Sequence, residues 1–212
     1  MVKDANQSHG QSLNRYLFYT LILFLYLVPI IIIFINGFDD FFQFSRRITA
    51  LVGIASLFIA ILLSLLVRKS RQIFGVAYLK VHHFFSITGI VLITLHPVIM
   101  AIDFGTSRIF IPDFSSWNAF LVNAGRPALY LIYIATIAAI MRRNIVKHWR
   151  YIHSLLYVAF IFGAIHGILS GSDLRHPALY GLYLAMIITV MIIFLYKRVL
   201  TVKKIIQLKR AG

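Results

Sequence analysis

The sequence predicts an all-α integral membrane protein, a bundle of six transmembrane helices, and three observations predict it. Of its 212 residues 60% are hydrophobic and only 13% charged, with a mean hydropathy of +0.87; a soluble domain of that composition has too little polar material to cover its surface. Long uncharged runs recur along the chain, most of them close to the roughly 20 residues a helix needs to cross a hydrocarbon core. The basic residues behind the net charge of +15 fall mostly on one side of those runs.

The runs are residues 16–35, 48–67, 81–102, 127–141, 151–169 and 178–196. The fourth is short unless it continues upstream through residues 120–124. The first is too long for a secretory signal and has no small-residue cleavage pattern after it. Residues 1–15 are expected to form a cytoplasmic tail, 16–200 the six-helix domain and 201–212 a basic cytoplasmic tail. The connections are short except for residues 103–118, a stretch long enough to cap one membrane face.

Charge sets the expected orientation. One side carries Lys3, Arg15, Arg68, Lys69, Arg71, Lys80, Arg142, Arg143, Lys147, Arg150, Lys197, Arg198, Lys203, Lys204, Lys209 and Arg210. The other carries Arg46, Arg47, Arg108, Arg126 and Arg175 against Asp39, Asp40, Asp103, Asp113 and Asp173. The positive-inside rule makes the first side cytoplasmic and puts both termini there, in a multi-pass protein of the cell (plasma) membrane. The basic excess therefore reads as topology and attraction to anionic headgroups, and no nucleic acid is expected as a partner.

Absences narrow the chemistry. With no cysteine and no glutamate, disulfides, thiolate metal sites, iron–sulfur clusters and Glu-dependent hydrolases are excluded. The six aspartates sit in tails, loops or at a helix edge, which leaves a carboxylate proton relay without residues. Histidine remains, and an ionisable side chain within a span suggests function. His82, His83 and His96 fall on the third span, and His153 and His166 on the fifth. At about 1.5 Å of rise per residue, His82 and His153 lie about 3 to 5 Å from the cytoplasmic ends of their spans, and His96 and His166 both about 24 Å. Two stacked centres, each held between the third and fifth spans, would require such matched depths. Two facing imidazoles suit the axial positions of a haem, whose porphyrin provides the other four ligands, and without a CxxCH motif that haem is b-type.

Phase qualifies the pairing. His82 and His96 are 14 residues apart and project from one face within roughly 40°, whereas His153 and His166, 13 apart, differ by about 140° in a straight helix. Rotamers, supercoiling or a distortion near Gly163 and Gly167 are expected to absorb the difference. His83 also stands 13 residues from His96; phase favours His82 as the inner ligand, with His83 as its alternative or as a propionate or water partner. His9 and His176 read as solvated tail and loop residues. Gly89 and Gly163, each between the two histidines of its span, read equally as room for a porphyrin or as close helix packing. Phe84, Phe85, Tyr157 and Phe160 read as lipid-facing or packing aromatics, Trp117 and Trp149 as interfacial residues.

The runs VHHFFSITGIVLITLH at 81–96 and HWRYIHSLLYVAFIFGAIH at 148–166 resemble the ferric reductase-like transmembrane domain family, which includes ferric reductases, NADPH oxidases and the haem-binding membrane subunit of the periplasmic methionine sulfoxide reductase system. The last looks nearest in length, and in the run from Arg126 and Pro127 through the basic loop into the fifth span. Its pattern need not include the inner third-span histidine present here, which moves the resemblance toward the fuller two-haem layout. The likeness covers roughly residues 16–200.

That resemblance implies transmembrane electron transfer, with His82 and His153 on an inner haem b and His96 and His166 on an outer one, stacked between the third and fifth helices. The donor would be a cytoplasmic flavin reductase or reduced flavin (FMN or FAD), with membrane quinol second. The acceptor would be an extracytoplasmic protein, ferric iron or oxygen. No glycine-rich dinucleotide fingerprint or P-loop occurs in the chain, so this would be the haem-binding membrane subunit of an oxidoreductase system rather than a full oxidase. Arg126, Arg46 and Arg47 are candidate propionate partners on the outer side, and Lys80, Arg150 and His148 on the inner. A quinol-oxidising cytochrome b of a respiratory chain, and a haem-free scaffold or transporter, are the competing readings.

Overall fold

The computed structural model describes the backbone of residues 2–67 and 73–211, and side chains within 15–67, 73–201, 203 and 207. Arg68, Lys69 and Arg71, and the side chains of Lys3, Asp4, His9, Lys204, Lys209 and Arg210, lie outside the described residues. The chain is 82% helical, and no strand occurs among the described residues. Helix α1 spans Val2–Asn36, α2 Phe41–Leu63, α3 Tyr78–Asp103, α4 Trp117–Val122, α5 Gly125–Ile140, α6 Trp149–His153, α7 Leu155–Ser170 and α8 Pro177–Ala211. Short 3-10 turns at Ser107–Phe110 and Ser172–Arg175 lie in the connections.

Among the described residues five helical segments are long and apolar enough to cross a membrane: Arg15–Asn36, Phe41–Leu63, Tyr78–Asp103, Trp149–Ser170 and Pro177–Thr201. The sixth apolar helix, Gly125–Ile140, has 16 residues, short of the roughly 20 a perpendicular crossing needs. The upstream continuation considered for it exists only as the separate helix α4, because the helix breaks at Asn123 and Ala124. Residues 2–15 continue α1 without interruption.

Local chemistry explains the helix ends. Asp40 caps α2 by accepting the Gln43 amide at 2.6 Å, and the Gln43 side chain reaches back to accept the Asp39 amide at 2.6 Å, a reciprocal cap of the kind expected from an acid and an amide three residues apart. Helix α3 ends in a Schellman turn: Thr106 donates to Ala101, Gly105 donates to Ile102, and Gly105 adopts φ +60, which a side chain would resist. This turn directs residues 105–116 back across the end of the bundle. There Ser115 donates both its hydroxyl and its amide to Asp113, holding that exposed carboxyl below the usual range.

Helix α2 is the centre of the bundle. About 61% of its span is buried, against 11% for α3 and 28% for α8. Small residues let α3 approach it closely. A Cβ at Gly89 would lie 2.7 Å from Leu57, and one at Gly53 2.9 Å from Ile93, so the two helices touch almost backbone to backbone. Gly89 is therefore a packing residue. Tyr26 and Ser56, 2.8 Å apart, link α1 to α2, and Thr94 and Tyr133, 2.9 Å apart, link α3 to α5.

Helix α3 has two unlike faces. Phe84, Ile87, Val91, Leu95, Val98 and Ile102 form an exposed apolar stripe at helical spacing. Nothing in water compensates such a stripe, whereas lipid does. His82, Gly89 and His96, at seven-residue steps, occupy the opposite face toward α2. At the far end of the bundle from the termini, Asn36 (2.9 Å) and Arg47 both bind the carboxylate of Asp173, which is 3% exposed. That cluster ties the end of α1, the start of α2 and the turn before α8.

Candidate functional site

The four intramembrane histidines proposed from spacing share one hydrogen-bond geometry. His82 Nδ1 lies 3.2 Å from the carbonyl oxygen of Ala60, His96 Nδ1 2.8 Å from that of Arg46, His153 Nδ1 3.2 Å from that of Ala135, and His166 Nδ1 2.6 Å from that of Val122. A carbonyl oxygen can only accept, so the proton is on Nδ1 in every case. In the neutral ring this leaves Nε2 with a lone pair, the tautomer and the anchoring that a metal-bound imidazole uses.

Helix ends supply some of these acceptors. At the end of α2 the Ser64 amide donates to Ile61, not to Ala60, so the Ala60 carbonyl is released for His82. Arg46 sits near the start of α2, where its carbonyl also receives the Thr49 hydroxyl at 3.1 Å.

His96 of α3 and His166 of α7 line the same cavity, and His82 and His153 lie near the termini-side ends of α3 and α6. The helical stretch that carries His153 and His166 is interrupted at Ser154, where α6 stops and α7 begins. The distortion expected near Gly163 and Gly167 does not occur, since α7 runs unbroken through both. His83 is exposed, whereas His82 is half-buried and anchored, with the Tyr78 ring stacked on it at 5.3 Å. The Trp149 ring lies 6.1 Å from His153.

His96 and His166 line a cavity of about 400 Å³, within the range of cofactor sites. Its floor is apolar, built from Leu51, Ile54 and Leu57 of α2, Ile93 of α3, and Ala159 and Phe160 of α7. Gly163 also lines it, and a Cβ there would meet only Ile54 at 3.9 Å, so this glycine widens the cavity and is not a packing contact. The mouth is polar, with Arg46, Arg47 and Arg126 around it. Ile109 and Phe110 of the long connection close over it; the Tyr130 hydroxyl donates to the Phe110 carbonyl at 2.9 Å and Arg126 to that of Ile111 at 2.7 Å.

The three arginines are differently engaged. Arg46 pairs with Asp103 and lies over the Phe104 ring at 5.2 Å, and Arg47 is committed to Asp173 and the Gly37 carbonyl. Arg126 bonds a backbone carbonyl, leaving its charge the most available to an anionic group at the mouth. On the termini side, Lys80, His148 and Arg150 are exposed, and Arg150 lies over Trp149 at 5.4 Å. A further cation on the termini side was expected from the sequence only to set topology. Lys197 of α8 is half-buried and within electrostatic reach of both His82 and His153. Its signal in the sequence was its place as the first charge after the last apolar run. Its neighbour Arg198 donates to Ser154 at 2.7 Å, bracing the α6–α7 break.

Among the described residues no cluster of three or more metal-ligating side chains forms. A bare cation held by protein needs three or four ligands, and the cavity offers two imidazoles, His96 and His166. No protein family, curated protein or solved structure matches this chain.

Proposed function

We propose that the chain carries electrons across a membrane through two b-type haems, from a cytoplasmic donor to an extracytoplasmic acceptor, as the haem-binding membrane subunit of a ferric reductase-like system. His82 and His153 would hold the inner haem and His96 and His166 the outer. The observation that carries the proposal is the shared Nδ1-to-carbonyl anchoring of four imidazoles, two of which, His96 and His166, line one cavity.

The residues fit the group. A haem asks for two unprotonated imidazole nitrogens, an apolar enclosure for the macrocycle and cations for its propionates. The outer cavity offers His96 and His166, the floor around Ile54 and Phe160, and Arg126 at the mouth. On the inner side Lys197 of α8 lies within electrostatic reach of His82 and His153. When bound, haem supplies reversible one-electron chemistry at iron. The chain's own part is to orient the rings through the carbonyls of α2, α4 and α5, to exclude water with the apolar floor and the Ile109–Phe110 cap, and to tune charge near each centre. Placement within six passes, with both termini cytoplasmic, follows the positive-inside rule. Exposed Arg142, Arg143, Lys147 and Arg150 then present cations to a donor close to His153. Outward electron flow is favoured by about 2.3 kcal/mol per 100 mV across an inside-negative membrane.

The test is the dithionite-reduced spectrum and the haem-to-protein ratio of the full chain, expressed with adequate haem and purified in detergent. Two b-type haems per chain are expected. No b-type bands would defeat the reading, and a ratio of one would remove its two-centre form.

A further inference from the structure

The break between α4 and α5 bears directly on His166. In an unbroken helix the Arg126 amide would donate to the Val122 carbonyl four residues back. Here it donates to Asn123 instead, at 3.0 Å. The Val122 oxygen is thereby released from the backbone ladder, and both of its lone pairs are filled from α7, by His166 Nδ1 at 2.6 Å and by the Ser170 hydroxyl at 2.8 Å. The first residue of α5, Gly125, stands against the same ring. A Cβ there would lie 2.6 Å from His166 Cδ2 and 3.0 Å from Nε2.

Those distances discriminate. A side chain clashing at 2.6 Å can be relieved cheaply only where the neighbour is free to swing away. The His166 ring is held at Nδ1, so a methyl at position 125 must either displace Nε2 or break the Val122 bond. Gly181, by contrast, has open space within 4 Å and tolerates a Cβ.

We propose that Gly125, with the helix break at Asn123 and Ala124 that frees the Val122 carbonyl, is the positioning element that sets the tautomer and direction of His166. Gly125 touches the ring without ligating anything; it acts through His166. The inference rests on the haem reading for its consequence, but its geometry stands independently of it. Losing such an orienting contact weakens binding at a metal centre by about 10- to 100-fold.

Two readouts test it on the full-length protein in detergent. The first needs no haem. Histidine-selective ¹⁵N NMR should find His166 in the Nδ1–H tautomer in the unsubstituted protein, with Gly125→Ala shifting it toward Nε2–H or a mixture and Gly181→Ala leaving it unchanged. The second follows haem release: Gly125→Ala should loosen one of two haems by at least about tenfold and alter its low-spin EPR signal, while the other haem keeps its own. An Nε2–H tautomer in the unsubstituted protein would overturn the inference even if Gly125→Ala failed to fold, as would an unchanged His166 in a folded Gly125→Ala. Absence of haem from a protein whose His166 tautomer responds as expected would defeat the haem reading and leave the positioning role intact.

Discussion

His96 donates its Nδ1–H to the carbonyl oxygen of Arg46 at 2.8 Å, while the Arg46 guanidinium binds Asp103 at the end of the helix that carries His96. One residue thus both orients the imidazole and clamps its helix. With the ring so fixed, His96→Ala should remove one centre and leave the other. The haem-to-protein ratio is expected to fall from two to one, read by the pyridine haemochrome method, with helical content by circular dichroism unchanged. A ratio of two in this variant would exclude His96 as a ligand.

His82 and His83 are adjacent yet differently placed. His82 is anchored to Ala60 and stacked on Tyr78, and His83 is exposed beside the apolar stripe of α3. His82→Ala should therefore abolish the inner haem signal, and His83→Ala should leave haem content at its original value. The reverse pattern would transfer the ligand to His83.

Arg47 and Asp173 form a pair that is almost closed to solvent, with side-chain exposures of 11% and 4%. Removing one partner strands the other charge, so Arg47→Ala should cost about 3–5 kcal/mol and lower the thermal midpoint in detergent. Arg47→Met combined with Asp173→Leu should recover part of that loss, since neither charge is then stranded. Arg126→Ala has no such burden; it should lower the outer haem's reduction potential with little change in the midpoint. A larger stability loss from Arg126→Ala than from Arg47→Ala would contradict the division of roles drawn here.

Lys197 of α8, half-buried, lies within electrostatic reach of His82 and His153. A nearby cation favours the reduced state of a centre, so Lys197→Ala should lower the inner potential. A tenfold change in the one-electron equilibrium corresponds to about 59 mV, measurable by spectroelectrochemical titration. An unchanged inner potential would argue that Lys197 serves only to anchor the end of α8.

Much of the fold was legible before any coordinates. The apolar runs correspond to α1, α2, α3, α5, α6–α7 and α8, because crossing lipid demands length and low charge whatever the neighbours are. Residues 127–141 show where that logic stops. Their helix is only 16 residues long, and the break before it depends on where the Arg126 amide finds its partner, which hydropathy does not encode. The spacing of the histidines marked them as candidates. The phase conflict between His153 and His166 was visible too, but its location was not. The glycines at 163 and 167 looked the weaker points, yet the helix breaks at Ser154, whose hydroxyl receives Arg198 from a distant helix.

The sequence by itself determined an apolar helical chain with a large basic excess, and marked histidines at two matched levels along it as candidate ligands, because composition and helical rise act residue by residue. Only the tertiary structure decided which carbonyl holds each ring, that Arg46 and Arg47 are bound to aspartates while Arg126 is not, that Lys197 lies within electrostatic reach of His82 and His153, and that Gly89 packs helices while Gly163 widens a cavity. Those facts depend on contacts between residues 18 to 126 positions apart in the chain. Hydrogen bonding and steric exclusion act at such contacts, and no local pattern records them.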